Sequence, residues 1–189
     1  MKKAVCVFFL LVLSALLNGH EFWLEPFRFV LKPGEKVNIK FRVGENFHGE
    51  NWQGTKSSVE ELKLFYKDVD DDLKNMLSDS TAGDSLNLQL FDEGTVMVSY
   101  QSTNKYIQIS ADTFQTYLKE DGIQNVFDFR ANNGLTDSMG REYYKRSVKT
   151  IFQIGAIKDS SYKKKTGLPL EIIPLRHPYG LKKGQDLPV

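Results

Sequence analysis

Val37, Ile39, Phe41 and Val43 alternate with Asn38, Lys40 and Arg42. That period of two marks a strand with one buried face. Lys32-Pro33-Gly34-Glu35 just before it is a turn signal, because proline presets φ and glycine accepts a positive one. Upstream, Phe22, Leu24, Phe27, Phe29 and Val30 predict another strand, broken near Pro26. The alternation returns at Leu62, Leu64 and Tyr66, and again at Leu86, Leu88 and Leu90. Asp92-Glu93-Gly94 then turns the chain into Val96, Val98 and Tyr100. At Tyr106 to Ser110 the alternation persists, but its apolar face is less clear. Val148, Thr150, Phe152 and Ile154 predict a late strand, and Leu170 to Leu175 another.

Helical spacing occurs in one region. Phe114, Tyr117 and Leu118 share a helix face within Asp112 to Leu118, which reads as core rather than as a binding site. Ser110 or Asp112 caps the start and Asp121-Gly122 stops it. Val126 to Arg130 predicts a second short helix, and Asn132-Asn133-Gly134 and Met139-Gly140 mark a loop. Short strands joined by tight turns predict a mainly β protein, an antiparallel β-sandwich with one or two short helices.

The first residues break the pattern. Lys2 and Lys3 precede Ala4 to Leu17, which is apolar apart from Ser14. A bilayer span needs roughly 20 residues, so this run has the length and flanks of a secretory signal. Cleavage after Gly19 leaves His20 first. The expected organisation is a signal over 1–19, a β-sandwich domain over 20–186 and the start of a further β segment at 187–189. Asp186-Leu187-Pro188-Val189 follows a turn at Lys182 to Gln185 and reads as an opening strand. The expected location is therefore outside the cytoplasm, in the periplasm or cell envelope.

Processing changes the chemistry. It removes the one cysteine, Cys6, and with it disulfide-linked partners, thiol catalysis and cysteine-based metal sites. Stability must come from a core, and a domain of about 150 residues buries about 68–70% of its unfolded surface without staples. The net charge of +1 gives no basic excess for nucleic acid. No G-x-S-x-G, H-E-x-x-H, phosphate-binding glycine loop or N-x-[ST] acceptor occurs, so a binding protein is expected rather than an enzyme.

The histidines are His20, His48 and His177. At a processed N-terminus the His20 α-amine and imidazole form one chelate suited to Cu(II), Ni(II) or Co(II). His48 or His177 would add a second imidazole, and Glu21 an oxygen. His48, in the loop Gly44 to Glu50, is the favoured second ligand. Asp68, Asp70 and Asp72 match three calcium-loop positions, but Leu73 replaces the required glycine and Asp79 the final glutamate, so a solvated acidic loop is expected. Lys163-Lys164-Lys165 before Thr166-Gly167 reads as a hairpin tip. Arg141, Glu142, Tyr144, Arg146 and Lys149 form a polar-aromatic group entering a strand, with Glu142, Tyr144 and Arg146 on one face, and a structural ion pair that fixes the loop is expected. Trp23 and Trp52 offer a sugar platform only if they are not core.

His20-Glu21-Phe22-Trp23-Leu24-Glu25-Pro26 directly after a signal resembles the start of the "domain of unknown function 4198" family. The resemblance continues through Pro33-Gly34-Glu35 and Phe41-Arg42-Val43-Gly44-Glu45. It is strong again at Gly140 to Arg146 with Lys149-Thr150, and at Gly167 to Leu175 with Pro178-Tyr179. Some members are described as periplasmic components of nickel or cobalt uptake systems. The resemblance thus implies an exported accessory protein for a transition metal, with a membrane metal permease or outer-membrane receptor as partner. It carries over His20 alone as a ligand, and it implies a β-rich continuation. The alternative is a metal-free extracytoplasmic β-sandwich that binds a glycan or an envelope protein.

Overall fold

A computed structural model describes residues 21–80 and 85–189. The chain over 1–20, with the expected signal and His20, lies outside the described residues. Contacts divide the described chain into two compact units, Glu21–Asn104 with Lys145–Val189, and Lys105–Tyr144.

The larger unit is the sandwich expected from the alternation. One sheet holds β1 (Glu21–Pro26), β3 (Lys36–Glu45), β4 (His48–Asn51) and β7 (Ser85–Gln89). The long β3 pairs antiparallel with β1 along one edge and with β7 and then β4 along the other. The second sheet runs β2 (Val30–Leu31), β11 (Ser147–Ile154), β8 (Gly94–Ser102), β5 (Val59–Tyr66), β6 (Val69–Asp72). Every pairing is antiparallel except β2 with β11. After Pro26 the chain therefore leaves the first sheet and joins the edge of the second.

Val37, Ile39 and Phe41 from β3, Leu62 and Leu64 from β5, Val96, Val98 and Tyr100 from β8, and Phe152 and Ile154 from β11 meet in one core. Trp52 joins it, edge-on to Phe41 and Tyr100 at 5.6 and 6.1 Å, and is 6% exposed. It is a core residue and offers no sugar platform. β8 is buried on both faces, because Thr95, Met97 and Ser99 on its far side are also covered. The 3₁₀ turn Ser160–Lys163 packs against that side.

The smaller unit is a two-stranded sheet, β9 (Lys105–Ile109) with β10 (Gly140–Tyr144), enclosing α1 (Ala111–Glu120) and α2 (Gln124–Asn132). The Ser110 hydroxyl accepts the Thr113 N–H and caps α1, as expected. Phe114 and Leu118 are buried. Gly140 lies under the Phe114 ring, where an added Cβ would stand 2.1 Å from Cγ. Gly140→Ala is expected to cost about 1–3 kcal/mol as overpacking. Amide exchange should rise within 105–144 first. Unchanged protection there would contradict that role.

Several expectations change. Leu170 to Leu175 forms no strand, and Leu170, Ile172 and Leu175 are exposed. Pro169 and Pro174 remove ladder donors at both ends, and the segment is pinned by Glu171 instead. Lys163 to Lys165 tip no hairpin but leave a 3₁₀ turn, with Lys164 paired to Asp70. The acidic cluster is not a loop: Val69–Asp72 is an exposed edge strand after a turn at Lys67. Arg146 does not share a strand with Glu142 and Tyr144, since β10 ends at Tyr144 and β11 begins at Ser147. Glu142 consequently accepts the Tyr117 hydroxyl at 3.3 Å instead of fixing an ion pair. Residues 187–189 carry no strand, though the Pro188 carbonyl accepts the Leu175 N–H at 2.8 Å. Among the described residues no helix is long and apolar enough to cross a membrane.

Candidate functional site

The first sheet ends in a hairpin. Asn46 and Phe47 both have positive φ, 52° and 60°, the two-residue turn that suits the twist of paired strands. His48 is thus the first residue of β4, not part of a flexible loop, and it sits directly opposite Glu45. Directly opposed residues on neighbouring strands point to the same face, with Cβ atoms about 4.5–5.5 Å apart. Both are exposed. On the other edge of β3, Glu21 of β1 pairs with Gly44. The next β3 position after Gly44 is Glu45 itself.

His177 is placed very differently. Tyr179 donates its N–H to Nδ1 at 3.2 Å, and Nε2 lies 2.8 Å from the Thr95 hydroxyl. Thr95 donates its own proton to Gln153 Oε1 at 3.1 Å, so the imidazole carries its proton on Nε2. Both nitrogens are spent, and His177 is no metal ligand in this conformation. Burial pushes its pKa down, nearby Lys158 adds to that, and Asp159 opposes it.

A folded-state value below about 6.5 means the neutral ring stabilises the fold above that pH, and the contribution is lost as pH falls through the lowered value. Protonation places a hydrogen on Nδ1, against the Tyr179 N–H. Between pH 7.5 and 5 the native protein is expected to lose more thermal stability than His177→Gln. Equal losses would contradict the arrangement.

A groove of about 650 Å³ lies in the larger unit. It is lined by Trp23, Leu24 and Glu25 of β1 and by Ser147 and Lys149–Ile151 of β11, two strands that lie against each other. Phe29 and Phe47 also line it, and Leu168, Leu170, Ile172 and Leu187 from the C-terminal arm complete it. Phe47 is 77% exposed and packs edge-on to Trp23 at 5.8 Å. A bulky side chain in the left-handed region is uncommon, and such outliers cluster at functional places.

One ion pair anchors the arm. Lys149 Nζ and Glu171 Oε2 are 2.9 Å apart, with side chains 8% and 13% exposed. Glu171 also accepts the Thr166 N–H and hydroxyl, each at 3.1 Å. Burial alone would raise the Glu171 pKa, but Lys149 and the Thr166 donors outweigh it and hold it at about 2. No sequence signal marks this partner, because Glu171 reads as one polar position in an expected strand.

Among the described residues, no group of three His, Cys, Asp or Glu side chains is arranged to hold a metal ion. Glu45 and His48 are brought together, His177 is used elsewhere, and His20 lies outside the described residues.

These features define a mainly β, sandwich-like protein with an inserted β-α-α-β unit and an apolar groove. The chain belongs to the family described as "Domain of unknown function (DUF4198)", whose model matches residues 17–189. No curated protein and no solved structure matches it.

Proposed function

We propose that this protein is an exported accessory protein that binds a transition metal, nickel or cobalt, for uptake or handling. The observation that supports it is the pairing of Glu45 with His48 at the end of the sheet where β1 begins. The β1–β3 ladder is described to Glu21↔Gly44. The proposal takes His20, the residue before Glu21, as the further ligand. The donor set is then an imidazole and α-amine from His20, a carboxylate from Glu45 and an imidazole from His48. Nitrogen-rich sets of this kind suit Ni(II), Co(II) and Cu(II). Glu45 and His48 alone are too few for a site, so the reading depends on processing after Gly19.

The family resemblance favours nickel or cobalt as cargo and a membrane permease or outer-membrane receptor as partner. Two measurements test the reading. N-terminal sequencing of the exported protein is expected to begin at His20. Equilibrium dialysis of that protein against nickel, cobalt and copper is expected to retain one ion per chain. A mature chain starting elsewhere, or no retained metal, would refute it.

A further inference from the structure

We propose that the open face of the β9–β10 sheet binds an acidic oligosaccharide, with a sugar ring stacked on Tyr106 and Tyr143 and its carboxylate paired with Arg141. The site lies within the unit 105–144 and does not depend on the metal reading.

β9 and β10 turn one face to α1 and the other to solvent. Tyr106 sits directly opposite Tyr143, and Gln108 opposite Arg141. Directly opposed residues share a face, so these four side chains stand together. All four are exposed, whereas Ile107 and Glu142 between them are partly covered. The covered face meets α1, where Glu142 accepts the Tyr117 hydroxyl and Gly140 lies under the Phe114 ring.

The open face is held in place. The Tyr106 hydroxyl donates to Gln108 Oε1 at 3.1 Å, and Gln108 Nε2 donates to Met139 Sδ at 3.3 Å. The two tyrosine rings have centroids 5.0 Å apart and meet at 47°. Tyr106 is nevertheless 49% exposed and Tyr143 74%. Single exposed apolar side chains are normal on a protein surface. Here two aromatic rings are braced side by side in water.

Charge narrows the occupant. The Arg141 guanidinium pairs with no acidic side chain among the described residues. Its neighbours on the face, Tyr106, Gln108, Met139 and Tyr143, are all uncharged. Its planar fork of donors is therefore open to an anion, and that fork matches a carboxylate in two-pronged fashion. Gln108 keeps one amide proton and one acceptor position unused. A sugar ring presents a face of polarised C–H bonds and a rim of hydroxyls. The C–H face suits the electron-rich face of an aromatic ring. The hydroxyls suit Gln108, and the carboxylate of a uronic acid suits Arg141.

Size separates a sugar from a protein partner. Two strands of five residues span roughly 17 Å by 10 Å. A stable protein interface takes about 800 Å² from each side, several times that footprint. A few sugar rings fill it.

A cross-strand aromatic pair also stabilises its own sheet, so binding must be measured alongside stability. The full chain is titrated calorimetrically in EDTA, so that no metal contributes. The probes are hexasaccharides of polygalacturonate, alginate and hyaluronan, the methyl ester of each, and hexaglutamate. At least one acidic hexasaccharide is expected to bind with millimolar or tighter affinity. Arg141→Gln should lower that affinity at least about tenfold, to the level of the uncharged ester, as the loss of a charged hydrogen-bond pair requires. Tyr143→Thr removes the ring but keeps a strand-forming residue. It should lower affinity at least about fivefold while the melting temperature holds. Tyr143→Phe keeps the ring and should retain most of the binding. Should Tyr143→Thr not fold, Arg141→Gln and the methyl esters still decide. No binding of any acidic hexasaccharide at millimolar concentration, or binding that Arg141→Gln leaves unchanged, would overturn the proposal. Equal affinity for hexaglutamate would overturn it too, since bare charge attraction or a peptide site would then suffice.

Discussion

A chain that begins at His20 is expected to bind Cu(II) or Ni(II) at least about 100-fold more tightly than one with a single residue added ahead of it. Even outer-shell partners of metal ligands typically cost about 10–100-fold when lost, and here a ligand itself is displaced. The added residue moves the α-amine away while the imidazole stays. His20→Ala should abolish most binding. His48→Ala should cost nearly as much as the added residue, since His48 is the second imidazole. Glu45→Gln should weaken binding less. His177→Ala should leave affinity unchanged, because both of its ring nitrogens are already hydrogen-bonded. Affinity should fall as pH drops through the ordinary ranges of an α-amine and an imidazole, about 8 to 6.5, because both must be deprotonated to bind. Copper should bind more tightly than nickel in vitro, so copper affinity alone does not identify the cargo.

The second large effect is on stability. Lys149→Met is expected to cost about 3–5 kcal/mol, the cost of leaving one member of a covered ion pair alone. The carboxylate then keeps only its Thr166 donors and the weaker Gly167 N–H. Glu171→Gln should cost less, since the amide oxygen can still accept from Thr166. In both variants the arm from Thr166 to Leu175 should lose protection against proteolysis before the sandwich does. Acid acts on the same bond. The folded-state value of Glu171 lies at about 2, below its ordinary 4.5. Its stabilisation is complete above about 4.5 and is lost as pH falls through 2. Urea melts of the native chain and Lys149→Met are expected to converge over that interval. A constant gap between them down to pH 2 would contradict the pair's role.

The sandwich was readable because each of its central strands carries a one-faced alternation. Val37, Ile39 and Phe41, or Val96, Val98 and Tyr100, announce both strand and buried face. The pattern said nothing of the second covering of β8, since Thr95 and Ser99 look solvated in a list of residues. It misplaced Leu170 to Leu175, whose apolar side chains stand exposed between two prolines. β9 and β10 were readable as strands but not as a separate unit, because pairing Gln108 with Arg141 is decided across two helices. Candidate ligands were visible as residue types only. That His48 faces Glu45, and that His177 is consumed by Thr95 and Tyr179, are matters of register and packing. The groove left no sequence trace, since it is made by strand order and by the path of the C-terminal arm.

Calorimetric titration of the processed protein, starting at His20, tests the central claim most directly. The account predicts one site per chain for nickel, cobalt and copper with micromolar or tighter affinity, about 8 kcal/mol or more of binding free energy. The heat should vanish when His20 is preceded by another residue. No heat of binding for any of the three metals at micromolar concentration would contradict it.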